Sequence, residues 1–128
     1  MKWLAVLMVM ALAGGCVNPP IEGRADPYVP PQISFADADL ANRTAVLPPT
    51  FERKEGILYV TVPVRNTSGL DLHIDYKVQF LNQAGAPSEP ATGWIGGTTL
   101  IRNSMTYLRV NSSNANAADF HLQFRYAQ

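Results

Sequence analysis

The sequence predicts an all-β fold: an immunoglobulin-like antiparallel β-sandwich of about six or seven strands behind a signal peptide and a proline-rich tether. Three observations predict it. From residue 33 onward apolar side chains recur at every second position, the period of a strand with one buried face. Clusters of Asn, Ser and Gly interrupt that pattern about every ten residues, as turns between short strands do. Beyond the N-terminus, no long segment repeats its apolar residues at helical spacing.

The chain opens with Lys2, then the apolar run Trp3 to Leu12, then Ala13, Gly14 and Gly15 ahead of Cys16. Charge, apolar stretch and small residues in that order are the layout of a secretory signal, here residues 1–15. A membrane-spanning helix needs about 20 apolar residues, and this run is shorter. Cys16 is the only cysteine, so no disulfide forms within the chain. Leu12-Ala13-Gly14-Gly15-Cys16 resembles the lipobox of bacterial lipoproteins, with the Leu one step further from the cysteine than usual. The resemblance implies a diacylglyceryl group on the Cys16 sulfur and cleavage just before it. Val17 stands where an Asp would favour the inner membrane, which implies the inner leaflet of the outer membrane, facing the periplasm.

Residues 16–32 read as a lipidated tether. Pro19, Pro20, Pro27, Pro30 and Pro31 forbid both helix and central strand there. At about 3.1 Å per residue such a segment reaches about 50 Å from the lipid surface.

Residues 33–128 read as the sandwich domain. Leu58, Val60, Val62 and Val64 alternate with Tyr59, Thr61, Pro63 and Arg65. Leu72, Ile74, Tyr76, Val78 and Phe80 alternate with His73, Asp75, Lys77 and Gln79. Phe120, Leu122, Phe124 and Tyr126 alternate with His121, Gln123 and Arg125. Met105 to Val110 is a fourth strand, and Arg43 to Val46 and Gly93 to Thr98 are weaker ones. Pro63 lacks an N–H for a ladder, so its strand is expected at an edge or bulged. Asn66-Thr67-Ser68-Gly69 and Asn82-Gln83-Ala84-Gly85 are turns, with Gly85 suited to positive φ. A small barrel is the alternative architecture.

Several segments resemble the YcfL family of small envelope lipoproteins. They are Val64-Arg65-Asn66-Thr67 before a turn, Tyr76-Lys77-Val78-Gln79-Phe80-Leu81-Asn82-Gln83-Ala84-Gly85, Trp94, and the closing Ala117-Ala118-Asp119-Phe120-His121-Leu122. Phe80 and Leu81 stand where that family often has Trp and Tyr. The resemblance spans about residues 43–126. It implies a fold, an envelope address and a link to wall assembly, and it brings no catalytic residues.

Ten basic and ten acidic side chains balance, without the clustered Lys and Arg that bind nucleic acid or anionic lipid. His73, His121, Asp75 and Asp119 lack the short ligand spacings of a metal site and read as solvated outer-face residues. No Ser or Thr has a recognisable base partner. The sequence therefore points to no catalytic residue, metal or cofactor. Trp94 is either packed in the core or a surface anchor of the kind enriched at interfaces. The polar segment Asn111 to Asp119 reads as an exposed loop. Trp94, Asn111, Asn114 and Asn116 are the candidate partner contacts.

The expectation is a non-enzymatic envelope protein, held to the membrane through lipid on Cys16 and binding another envelope protein, without nucleic acid. The second reading is a structural subunit, a peg, of a multi-protein envelope machine such as a secretion or motility apparatus.

Overall fold

Alternation decides the longest strands. The side chains of Leu58, Val60, Val62 and Val64 all point one way, and each is at most 4% exposed. Ile74, Val78 and Phe80 do the same from a second strand, and Phe120, Leu122 and Phe124 from a third. The computed structural model describes residues 30–128. The expected signal peptide, Cys16 and the tether up to residue 29 lie outside the described residues.

In chain order the elements are β1 (Ile33–Phe35), α1 (Ala38–Asn42), β2 (Thr44–Val46), β3 (Thr50–Lys54), β4 (Ile57–Asn66), β5 (Leu72–Leu81), β6 (Ile95–Leu100), β7 (Met105–Asn111) and β8 (Asp119–Tyr126). They form two sheets. The first runs β1-β8-β5-β6. In the second, β4 is central, with β2 and β3 sharing one of its sides and β7 on the other. The inward faces of the two sheets enclose a single apolar core. The protein is an all-β sandwich, and two separate sheets exclude the small barrel.

The eight strands among the described residues exceed the expected six or seven. β1 is only three residues long and pairs in parallel with β8, Ile33 opposite Leu122. The end of the expected tether joins it: Pro30 is buried, its carbonyl accepts from the Ile33 N–H, and the Gln32 carbonyl accepts from Leu122. β3 is exposed at all five positions, so it has no apolar alternation to betray it. A tight turn through Glu55 and Gly56, with φ of 51° and 83°, folds it against β4.

The expectation for Pro63 is corrected. Its strand, β4, is neither at an edge nor bulged there but is the middle of its sheet. Pro63 faces Tyr107 of β7, and its carbonyl accepts from the Leu47 N–H. That side of β4 passes from β2 to β3 at Pro48-Pro49, where no donor is called for. A proline is tolerated in the middle of this sheet because the neighbouring strand is broken opposite it.

α1 is docked on the end of β8. Arg43 and the Tyr126 hydroxyl both donate to the Asp39 carboxylate, and the Tyr126 N–H donates to Asp37. These bonds hold Asp39 below the ordinary carboxylate pKa, the Tyr126 bond contributing most. Burial and the same bond raise Tyr126.

Candidate functional site

The odd-numbered residues of β5 and β8 line the outer face of the first sheet. Registry sets Asp75 opposite Arg125, Lys77 opposite Gln123 and Gln79 opposite His121. Arg125 donates from Nε to Asp75 at 3.0 Å, with the two side chains 24% and 11% exposed. Trp94, one residue before β6, lies across this row. Its ring centroid is 4.1 Å from the Arg125 guanidinium carbon and 4.7 Å from Lys77 Nζ. Two cations against one indole make a cation–π stack, each contact contributing about 0.5–2 kcal/mol.

Trp94 is thus half-buried on the outer face and is not a core residue. The local fold explains how it gets there. Gly96-Gly97 forms a bulge opposite Asp75, with Gly97 at φ 86°. A Cβ on Gly96 would stand 3.0 Å from Asp75 Oδ1, so a larger residue would push β6 off the carboxylate. The result is a planar aromatic group, an oriented guanidinium and an amine on one rigid sheet, with Gln79 and Gln123 beside them. Such a surface anchors a protein partner through aromatic and Arg contacts.

The second region is the end of the sandwich where the Asn82–Pro87 turn meets the Asn111–Asp119 loop. An open cleft of about 840 Å³ lies between them, with Arg53, Asn82, Ser88 and Asn116 on its walls. Arg53 spans it, donating to the carbonyls of Gly56 and Ala117, both at 2.7 Å. Asn82 Oδ1 accepts from the Ala84 and Ala86 N–H groups, and Gly85 sits at φ 85° as expected. Asn114 donates to the Ser88 carbonyl and accepts from the Asn116 N–H. Ser112, 1% exposed, accepts from Leu58 and donates to Asn114. The Ser113 N–H reaches both oxygens of Glu89. The Ser88 hydroxyl alone is buried without a partner among the described residues.

The four expected contact residues are therefore not one site. Trp94 belongs to the outer face of the first sheet, and Asn114 and Asn116 to the loop end. Asn111 stands at the end of β7, opposite Tyr59 on the second sheet. Asn114 spends its amide on holding the loop, whereas Asn116 is exposed at the cleft. Asp75, which reads from sequence as a solvated outer-face residue, and Lys77 and Arg125, which the sequence does not single out, are site residues. Their alternation on neighbouring strands was visible, but the reach of Trp94 across β5 to β8 was not.

The titratable candidates are dispersed. His73 Nδ1 is 3.0 Å from Thr99 Oγ1, His121 Nε2 is 3.1 Å from Ser34 Oγ, and Asp75 binds Arg125. Asp119 accepts from the Phe120 N–H. Among the described residues, no three His, Cys, Asp or Glu side chains gather as metal ligands would. No helix of the described residues is long and apolar enough to cross a membrane.

No protein-family model matches the chain, and no curated protein does. Solved structures do resemble it. The crystal structure of Campylobacter jejuni cj0090 superposes with a TM-score of 0.63 at 18% identity, covering 75% of this chain and 98% of that one. A DUF1425 family member from Shewanella sp. pv-4 gives 0.59 at 23% identity, covering 66% of this chain and 79% of that one. At these identities the shared property is the fold: this chain has the β-sandwich found in a domain family of uncharacterised function.

Proposed function

We propose that the protein is a non-enzymatic, lipid-anchored accessory protein of the cell envelope whose sandwich binds another protein at the periplasmic face. The observation that carries the reading is the Trp94 stack on Arg125 and Lys77, since an aromatic ring held half-exposed by two cations on a rigid sheet is the chemistry of an interface anchor. The lipobox-like Leu12 to Cys16 and the proline-rich residues after it supply the anchor and the spacer. We also place the chain among the YcfL-like lipoproteins, on the segments that resemble that family and on the sandwich shared with a DUF1425 member. That kinship suggests work beside wall assembly.

The test is crosslinking in living cells followed by mass spectrometry, with Trp94→Ala and Cys16→Ser beside the wild type. One envelope protein should be captured by the wild type and lost from both variants. Capture that survives Trp94→Ala would move the contact off this face. Capture of nothing in the wild type would end the partner reading.

A further inference from the structure

We infer that the free edge of β7 accepts an extended, acidic segment of a partner protein as an added strand of the second sheet. The site lies on the other sheet from Trp94, so it goes beyond the reading above, and either can fail alone.

The four sheet edges are not alike. β1 is three residues long and follows Pro30-Pro31. The β2–β3 side is broken at Pro48-Pro49 and carries Glu52, Arg53 and Lys54. β6 is bulged at Gly96-Gly97. Each of these is a device that discourages further strand pairing. β7 has none of them: seven residues without Pro, Gly or bulge, in unbroken register with β4.

Its hydrogen-bonding groups are placed for a partner. The Ser104 carbonyl accepts from Asn66, and the Ser112 N–H donates to Leu58. Antiparallel alternation then turns the even-numbered residues between them toward β4. The N–H and C=O groups of Met105, Tyr107, Arg109 and Asn111 point away, and among the described residues nothing pairs with them.

Charge names the occupant. Arg43, Arg102 and Arg125 each pair with an Asp, and Arg53 is held by two carbonyls. Arg65 and Arg109 have no such partner among the described residues. Both lie on the outer face of this sheet, Arg65 in the row of Met105 and Arg109 two residues along β7 from Tyr107. Tyr107, between those rows, is 58% exposed. An added strand with carboxylates flanking an apolar residue at alternate positions would set one carboxylate directly beside Arg109, the other across Met105 toward the long side chain of Arg65, and would cover Tyr107.

Two other occupants fit less well. A second copy would bring like charges, Arg65 and Arg109 from both chains, to one seam. The chain's own proline-free stretch, residues 21–26, ends four residues before Pro30, a reach of about 14 Å. β1 lies at the opposite edge of its sheet from β6, which leads into β7. Three strand spacings and one sheet separation put those edges about 17 Å apart.

The test uses the full mature chain in detergent and a synthetic ten-residue peptide. The peptide alternates threonine and valine, with glutamates flanking one leucine on a single face. Hydrogen exchange is read at the Met105, Tyr107, Arg109 and Asn111 amides. The peptide should slow these four by about tenfold or more, and a lysine-for-glutamate peptide should not. Arg109→Pro removes an outward donor together with the Arg109 cation but no bond to β4, so it should abolish the slowing while β4 keeps its protection. Arg109→Glu, a milder change to the same residue, should weaken the glutamate peptide. Three results overturn the proposal: no slowing with the glutamate peptide, equal slowing with lysine, or slowing in concentrated protein without peptide, which would make a second copy the occupant.

Discussion

Asparagine closes the sandwich at both ends, by different means. At the end where β4 stops, Asn66 is fully buried and uses its whole amide. It donates to the carbonyls of Leu70 and Leu100 at 2.7 and 2.8 Å, and it accepts from the Ser68 N–H and hydroxyl. The β4–β5 loop and the end of β6, in the other sheet, are thereby tied to one side chain. At the other end, Asn114 ties the loop to Ser88, but the cleft stays open and the Ser88 hydroxyl has no partner among the described residues. One end is finished as core, the other as a rim around a hollow. Rigidity spent at the first end leaves loop surface available at the second.

Asn66→Ala is the strongest way to break that contrast. Two carbonyls, one of them deeply buried, lose their donor, and the Ser68 turn loses its acceptor. The expected loss is about 3 kcal/mol, read from denaturant unfolding. Asn66→Asp keeps the acceptor but sets a buried carboxylate oxygen against both carbonyls, so at neutral pH it should cost at least as much as Asn66→Ala. A loss below about 1 kcal/mol in Asn66→Ala would mean that water satisfies this end as readily as the other.

Asp75 lies between the ends, and Asp75→Ala tests whether the outer face is a separate unit. It leaves Arg125 without its carboxylate and the Trp94 stack without its brace. We expect a loss of about 2 kcal/mol. The indole fluorescence should change with it, because the guanidinium under the ring is no longer held. Unchanged fluorescence would show that Trp94 is positioned by Lys77 and the β6 bulge instead.

At the loop end, Ser112→Ala removes the bond to Asn114 and orphans the Leu58 N–H. A cost of about 1 kcal/mol is expected, with faster hydrogen exchange confined to residues 113–118. The same exchange measured on Asn66→Ala should rise across both sheets. If Ser112→Ala also loosens both sheets, the two ends form one cooperative unit.

Much of this was legible in the sequence. Strands β4, β5, β7 and β8 announced themselves because each buries one face, so apolar residues fall at every second place. β3 could not, because no residue of it is buried, and β1 is too short to show a period. Asn66 is more instructive. Its neighbours Thr67, Ser68 and Gly69 mark it as a turn residue, yet it continues the parity of Leu58, Val60, Val62 and Val64. That parity alone aims its side chain at the core. Trp94 is undecided from sequence alone because its neighbours on β5 and β8 are 17 and 31 residues away in the chain. Such a site is set by strand order, which alternation does not encode.

The smallest effect concerns α1, which closes the corner beside β8. Asp39 is depressed in the fold by Tyr126 and Arg43, so its contribution is present at neutral pH. It is lost as pH falls below the 3.8 of a free aspartate and through the folded value. Tyr126 is raised, so the same latch loosens again as pH climbs above 10.0 and through its folded value. Asp39→Asn should flatten the acid limb and only shrink the alkaline one, since burial still raises Tyr126, in a thermal unfolding series across pH, while Asn66→Ala lowers the whole curve without changing its shape. A variant at Asp39 that kept the wild-type acid limb would assign that limb to Asp71, which Arg102 depresses at the Asn66 end. Both carboxylates are open to solvent, 62% exposed for Asp39 and 35% for Asp71, so added salt should shrink the acid limb whichever of them carries it.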